Sequence, residues 1–363
     1  MASISKIGKT YQYTVSRMIN GKYKPIRKGG FTSKKECQIA AAEVEKSLML
    51  GKNPQFAKTP FPEYFESWIK LHKSHVSPAT KKRYENTLNT VEQYFLNKNL
   101  QDITKDDYVH FLKDYGRTRA KESVRKVNTQ IRACVQEAIF QELITKDFTY
   151  GVTITGSVEA KKPDEKYLDY NDYSKLLKAV SERLNDSLGY YAILLGLKTG
   201  MRFAEIVGLT RKDFNFKEST IKVDKTWDYK EGRGMTKTKN EDSERMITVD
   251  KTTMAAFKEL FKNLPPNVND LVFFNPSQKS HVITNAWVNK ILKKLCSTLE
   301  IKNITFHGLR HTHCSVLLYR KYSVQFISKR LGHRDIETTL RVYSHLLKEQ
   351  LTEENERLVE DLA

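Results

Sequence analysis

From Ile304 to Cys314 the chain reads ITFHGLRHTHC, three histidines and a cysteine gathered around one arginine. These residue types can hold a metal ion, grip a phosphate or pack into a core. His307 and Arg310 stand three apart, so on a helix they project from the same face, and an imidazole beside a guanidinium suits two oxygens of one phosphate. A metal held by His307 and His311 would lie against the permanent charge of Arg310, and the glutamate of an H-E-x-x-H motif is missing. Packing, phosphate binding and metal binding all stay open on this stretch alone.

In TGMRFAEIVGL, Thr199 to Leu209, Gly200 breaks one apolar helix and Arg202 begins the next. A helix N-terminus favours anions, although a lone arginine there is commonly just a surface residue. In SVQFISKRLGHRDIETTLRVYSHL, Ser323 to Leu346, one helix ends at Leu331–Gly332, His333 follows, and Asp335 caps the next helix, which carries Tyr343. Two helices joined by a tight glycine turn also describe a helix-turn-helix, whose second helix would read a major groove. Tyr343 by itself says little, since the chain has 18 tyrosines and most must pack or lie on the surface. In GRGMTKTKNEDSERMITV, Lys237 and Lys239 are two apart and share one face of a strand, so alternation does not choose between them.

These residues need a frame to bring them together. At 363 residues the chain is long enough for about two or three domains. A net charge of +19 with 39% hydrophobic residues describes a folded protein with a basic surface, which excludes a disordered tail and makes nucleic acid the leading partner. Cys37, Cys134, Cys296 and Cys314 lie far apart without a C-x-x-C pair, so reduced thiols in a cytoplasmic protein are expected. No apolar run approaches the roughly 18 residues of a membrane span, and MASISKIGKTYQYTV lacks the apolar core of a signal peptide.

Lys9 to Met18 alternate as a strand, Asn20–Gly21 is a hairpin turn, and KYKPIRKGGF returns as a second strand. Ser33 with Glu36 forms a capping box that opens a helix ending at Gly51, completing a small basic module over residues 1–55. Ser77 and Pro78 open the next helix, and others start after Thr104 and near Lys121. Val124, Val127, Ile131, Val135 and Ile139 make an apolar stripe there, so residues 60–157 form a helical domain. The charged, proline-broken stretch from Gly156 to Lys166 is a linker. Residues 165–363 form one larger domain, with helices in NDYSKLLKAVSERL and YYAILLGLKTG and a short antiparallel sheet from STIKVDKTWDY, GRGMTKTK and SERMITVD. Helices resume from about Thr252, and the fold class is mainly α with small β-sheets (α+β).

Taken together and in this order, TGMRFAEIVGL, KTKTKNEDSERMI, HGLRHTHCSVLL and LGHRDIETTLRVYSHL resemble the tyrosine recombinase family, the phage-integrase type exemplified by lambda integrase. The resemblance extends over nearly the whole chain. It implies a small basic arm-binding ββ(β)α domain, a helical SAM-like core-binding domain and a mixed α/β catalytic domain. By motif, Arg202 and Arg310 correspond to the phosphate-clamping arginines, His307 and His333 to the two histidines, and Tyr343 to the nucleophile. Family members commonly show KTK followed closely by a serine and an arginine, whereas NED here precedes Ser243 and Arg245. Lys237 is the expected catalytic lysine, with Lys239 as the alternate. His311, His313 and Cys314 then become packing residues on the same helix, and no metal or other cofactor is implied.

The implied activity is site-specific recombination through a 3′-phosphotyrosyl link, integrating and excising a mobile element in a bacterial cytoplasm. The implied partners are double-stranded DNA core and arm attachment sites, a homotetramer on that DNA, and accessory excision and DNA-bending proteins, with no membrane. Arg17, Lys22, Lys24, Arg27 and Lys28 are the candidate arm contacts, weighed against a merely solvated basic edge. The tail KEQLTEENERLVEDLA is acidic, with Leu351, Leu358, Val359 and Leu362 on an apolar face that suits docking on its own domain or on a neighbouring subunit. A type IB topoisomerase and a non-catalytic helix-turn-helix regulator are the competing identities. The arm-like module and docking tail disfavour the first, and the full set of arginines, histidines and tyrosine disfavours the second.

Overall fold

The computed structural model describes residues 2–19, 22–49, 58–159, 163–230, 232–237, 243–333, 336–337 and 340. They divide into two units, Met1–Ala160 and Lys161–Ala363, whose boundary falls inside the expected linker. In the first unit β1 (Ser3–Ile7) and β2 (Thr10–Val15) pair antiparallel, and β3 (Met18–Ile19) and β4 (Lys22–Tyr23) make a short hairpin. β5 (Ile26–Phe31) returns along β2, so the sheet order is β1-β2-β5. The turn residues Asn20 and Gly21 lie outside the described residues. β1 is an additional strand whose SISKI sequence is too short and too exposed for alternation to mark it.

Val15 stands opposite Ile26 and Tyr13 opposite Lys28, but Tyr11 pairs with Phe31, a slip of one residue that the Gly29–Gly30 pair absorbs with Gly30 at φ +94°. Tyr13, Val15 and Ile26 pack against α1 (Lys34–Met49), which contributes Cys37 and Ala41. Ser33 Oγ accepts the Lys35 N–H at 3.2 Å, whereas the Glu36 carboxylate takes the Thr32 hydroxyl at 3.4 Å. The helix starts where expected, with Glu36 engaged one residue earlier than a capping box would place it.

A separate aromatic core holds α2 (Phe61–His72), α3 (Pro78–Phe95), α4 (Lys105–Gly116) and α5 (Lys121–Phe140) together. Ser77 Oγ caps α3 through the Thr80 N–H, with Pro78 in the first turn, and Thr104 and Asp107 cap α4 reciprocally. Val124, Val127, Ile131 and Val135 are buried with Phe61, Phe65, Phe95 and Phe111, and Ile139 packs at the edge.

In the second unit α6 (Tyr170–Ser181), α7 (Leu188–Thr199) and α8 (Phe203–Val207) precede the strands β6 (Phe214–Asn215), β7 (Thr220–Val223), β8 (Lys225–Asp228), β9 (Gly234–Lys237) and β10 (Arg245–Thr248). Among the described residues four helices follow: α9 (Lys251–Asn263), α10 (Asn285–Thr298), α11 (Phe306–Tyr319) and α12 (Val324–Leu331). The sequence of α7, LGYYAILLGLKT, is apolar nearly all round, so the helix is buried on most sides, packed by α6, α10 and α11. No described helix is long and apolar enough to cross a membrane.

The strands correct one expectation, because they form two sheets rather than one. β7 pairs with β6 and β10, in the order β10-β7-β6, while β8 and β9 stand apart as a hairpin. The chain leaves the first sheet at Asp224, whose carboxylate is tied to Lys222 and Lys225, and β10 comes back to set Ile247 opposite Ile221. Alternation is blind to this, since a strand has the same period whichever neighbour it pairs with.

Candidate active site

The site is built where two glycine-ended helices meet. Gly200 closes α7 and Gly332 closes α12, both left-handed, with φ of 65° and 68°. A Cβ on Gly200 would lie 2.6 Å from Leu331 Cδ2, and one on Gly332 would lie 3.0 Å from Arg245 Nη1. Helix C-termini offer orphan carbonyls and partial negative charge, so cations collect there. Arg310 on α11, only 4% exposed, donates Nη1 to the Gly200 carbonyl at 2.8 Å and Nη2 to the Leu331 carbonyl at 2.7 Å. Arg202, which begins α8, turns Nη2 toward the Gly332 carbonyl at 3.5 Å. Both arginines are thus held against the end of α12, and Arg310 grips the end of α7 as well.

Glu205 provides the counter-charge. Its buried carboxylate accepts the Arg202 backbone N–H at 2.9 Å and Nη1 at 2.7 Å, and takes Nη2 of Arg245 from β10 at 3.0 Å. Burial works to raise this carboxyl, but Arg245 and then Arg202 more than offset it and hold it below the usual carboxylate range. The charged Glu205 therefore orients Arg202, which keeps 39% of its side chain exposed.

His307, in the first turn of α11, opens to the surface, yet crowding around the ring is the largest cause lowering its pKa, with Arg310 and then Arg202 adding to it. His333, directly after Gly332, is lowered to about 3 by burial first and then by Arg310, Arg202 and Arg245. Both imidazoles are neutral at pH 7, and both feel both guanidiniums, so the structure brings these four predicted residues into one electrostatic neighbourhood. Arg202 and His307 line a cleft of about 670 Å³ with Thr226, Tyr229 and Asn285. An anion entering it would meet guanidinium charge beside a neutral ring, an arrangement that suits a phosphate.

His311 stands edge-on to His307 with ring centroids 5.0 Å apart, and burial followed by His307 lowers it to about 4. His313 and Cys314 are buried. Lys237 ends β9 opposite Lys225 of β8, but its side chain lies outside the described residues, as do Lys239, Asp335, Tyr343 and the acidic tail. In the first unit, Arg17 Nε donates to the Lys24 carbonyl at 3.2 Å, and Lys24 Nζ pairs with Glu142 at 2.5 Å. Arg27 and Lys28 are exposed on β5, and the Lys22 side chain lies outside the described residues.

Sequence reasoning passed over Glu205 although its signal was present, three residues after Arg202 on the same helical turn. Arg245 meets Glu205 from 40 positions away, and nothing local announces it.

Fold and cleft together define a tyrosine recombinase, an enzyme that breaks and rejoins DNA. The chain belongs to the phage integrase family, which residues 166–350 match. Residues 60–115 match the N-terminal SAM-like domain of phage integrases, and residues 3–48 match an arm DNA-binding domain. Among curated relatives it is 24% identical to a tyrosine recombinase XerC-like protein of Caldanaerobacter subterraneus subsp. tengcongensis, over 97% of either chain. It is 23% identical to the ICEBs1 integrase of Bacillus subtilis over 74% of each. Among solved structures, the Tn1549 transposon integrase in complex with a circular intermediate DNA superimposes with a TM-score of 0.69 at 21% identity, covering 83% of this chain and 100% of that one. A lambda integrase dimer bound to a core site does so with a TM-score of 0.61 at 14% identity, covering 94% and 93%.

Proposed function

We propose that the chain integrates and excises a mobile genetic element by cleaving and rejoining double-stranded DNA through a 3′-phosphotyrosyl intermediate. The observation that carries this reading is the meeting of Arg202 and Arg310 at the end of α12, Arg310 also gripping the end of α7, with neutral His307 and His333 beside them. The two guanidiniums neutralise the non-bridging oxygens of the scissile phosphate and stabilise the charge that builds in the transition state. Tyr343 Oη attacks phosphorus while the bond to the 5′ oxygen breaks. His307 takes the tyrosyl proton, Lys237 (or Lys239) supplies one to the departing 5′ oxygen, and His333 donates a hydrogen bond to a non-bridging oxygen. A neutral His307 is free to accept that proton, and the phosphate's negative charge raises its affinity once DNA is bound. The phosphotyrosyl link conserves the energy of the broken bond, so a 5′ hydroxyl from a partner duplex can reverse the step.

The labour divides by region in this reading. Residues 1–55 grip arm sites through Arg17, Lys22, Lys24, Arg27 and Lys28, while residues 60–157 and 165–363 hold the crossover site. Exposed Lys290, Lys293 and Lys294 share one face of α10, whose first turn also lines the cleft, and they extend the positive surface outward from it. A tetramer assembles on the DNA with the acidic tail as a protein-docking element, and excision and DNA-bending proteins in a bacterial cytoplasm set the direction. Tn1549 and ICEBs1, the elements named for two of the similar integrases, support the mobile-element role.

The test incubates wild-type protein and Tyr343→Phe with DNA flanking the gene, in EDTA, stops with detergent and searches by mass spectrometry for a nucleotide-modified peptide. An adduct on Tyr343 in wild type, absent from the Phe variant while DNA binding is retained, is the expected outcome. Cleavage by the Phe variant would refute the nucleophile assignment, and footprinted binding without any adduct would refute catalysis.

A further inference from the structure

Behind the two arginines lies a polar contact that the proposed chemistry does not use. His313 Nδ1 is 2.8 Å from the Leu197 carbonyl, and a carbonyl only accepts, so Nδ1 carries the ring proton. Nε2 is therefore an acceptor, and it takes the Nε–H of Arg330 at 3.0 Å. The rest of that guanidinium is shared between Thr248 of β10 and Lys198 of α7, whose carbonyls accept Nη1 and Nη2 at 3.0 Å each. A single side chain on α12 thus ties together α7, α11 and β10.

The backbone of the same residue leads to both phosphate-facing arginines. The Arg330 carbonyl accepts Arg245 Nε at 2.8 Å, and Arg245 holds the Glu205 carboxylate that orients Arg202. The next carbonyl, that of Leu331, accepts Arg310 Nη2 at 2.7 Å. A shift of α12 by a fraction of an ångström would move the supports of both arginines together. Apolar residues of similar volume fill such a space at lower desolvation cost than a hydrogen-bonded imidazole and guanidinium do. What the pair supplies is geometry.

We propose that Arg330 and His313, neither of which lines the cleft holding Arg202 and His307, are positioning residues that set the register of α7, α11 and α12 on which strand cleavage depends. The inference rests on the recombinase reading above. One guanidinium meets three divergent acceptors, a demand that a lysine ammonium on a flexible stem does not satisfy with fixed angles.

The experiment uses the full chain and a nicked duplex spanning the crossover site mapped with wild type, and reads the single-turnover rate of phosphotyrosyl adduct formation at saturating protein, well below each variant's melting temperature. Arg330→Met, Arg330→Lys, His313→Phe and His313→Gln are compared, with dissociation constants and melting temperatures measured alongside. A misplacement of about 1 Å lowers a rate by about 100-fold, so Arg330→Met and His313→Phe should lose up to about that factor with DNA affinity within about 3-fold of wild type. His313→Gln, whose amide oxygen can accept from Arg330, should recover most of the rate, and Arg330→Lys should not. A wild-type rate in Arg330→Met, or a loss matched by equal falls in affinity and melting temperature, would overturn the positioning role. Equal losses in His313→Gln and His313→Phe would do the same. Absence of any adduct from wild type would sink the recombinase reading and this inference with it, and that result is distinct from wild-type cleavage with unaffected variants.

Discussion

His313 is 5% exposed and wholly committed to the Leu197 carbonyl and Arg330, and burial followed by Arg330 lowers its pKa to about 3. His333 and His311 are lowered as well, to about 3 and about 4. In the unfolded chain each returns to about 6.5, so between that value and about 3 the unfolded state binds more protons than the folded one. Stability is therefore intact above about pH 6.5 and falls as pH drops below it. For His313 alone the loss at pH 5 is about 2 kcal/mol. Scanning calorimetry should show the melting temperature falling from pH 7 to pH 5, and His313→Gln should flatten that fall. A melting temperature that rises on acidification would contradict the neutral, buried state of these rings.

At the scale of elements, the helix ends of α7 and α12 carry the design. Ala at Gly332 must hold a left-handed backbone, which costs about 1–2 kcal/mol for a residue with a Cβ. It also presses on the end of Arg245, a flexible group that can yield, but only by loosening its hold on Glu205. Gly200→Ala meets a harder obstacle, with Leu331 Cδ2 at 2.6 Å and the His313 ring at 2.9 Å. Urea unfolding should rank Gly200→Ala below Gly332→Ala in stability, while both lose adduct formation by more than their stability loss explains. Equal unfolding midpoints for the two variants would show that packing at these ends is looser than the distances indicate.

At the scale of the whole molecule, the chain carries a net charge of +19, and its first unit alone contains two distinct hydrophobic clusters. Separate bodies can carry separate salt dependences. Replacing Arg27 and Lys28 by Ala in the full chain should reduce the slope of log affinity against log salt by about 2 on DNA carrying an arm site, since each phosphate contact releases close to one counterion. On a duplex with the crossover site alone the slope should not change. Equal changes on both duplexes would remove these residues from the arm interface. Lys24 is a poorer choice for such a test, because Glu142 already neutralises it.

What the sequence determined by itself was set by neighbours along the chain. Ser77–Pro78, Thr104, Gly200 and Gly332 mark helix ends because capping and left-handed backbone involve only nearby residues. The stripe on α5 was legible from period alone, and so was the shared face of His307 and Arg310. Tertiary structure alone decided which strands pair, sending β10 back to β7 past the β8–β9 hairpin. It also decided what surrounds the arginines: Arg245 reaching Glu205 across 40 residues, Arg330 reaching His313 across 17, and the carbonyls of Gly200 and Leu331 meeting on Arg310. Such contacts leave no trace in local pattern, because a guanidinium's donors are the same whatever acceptor the packed chain delivers to them.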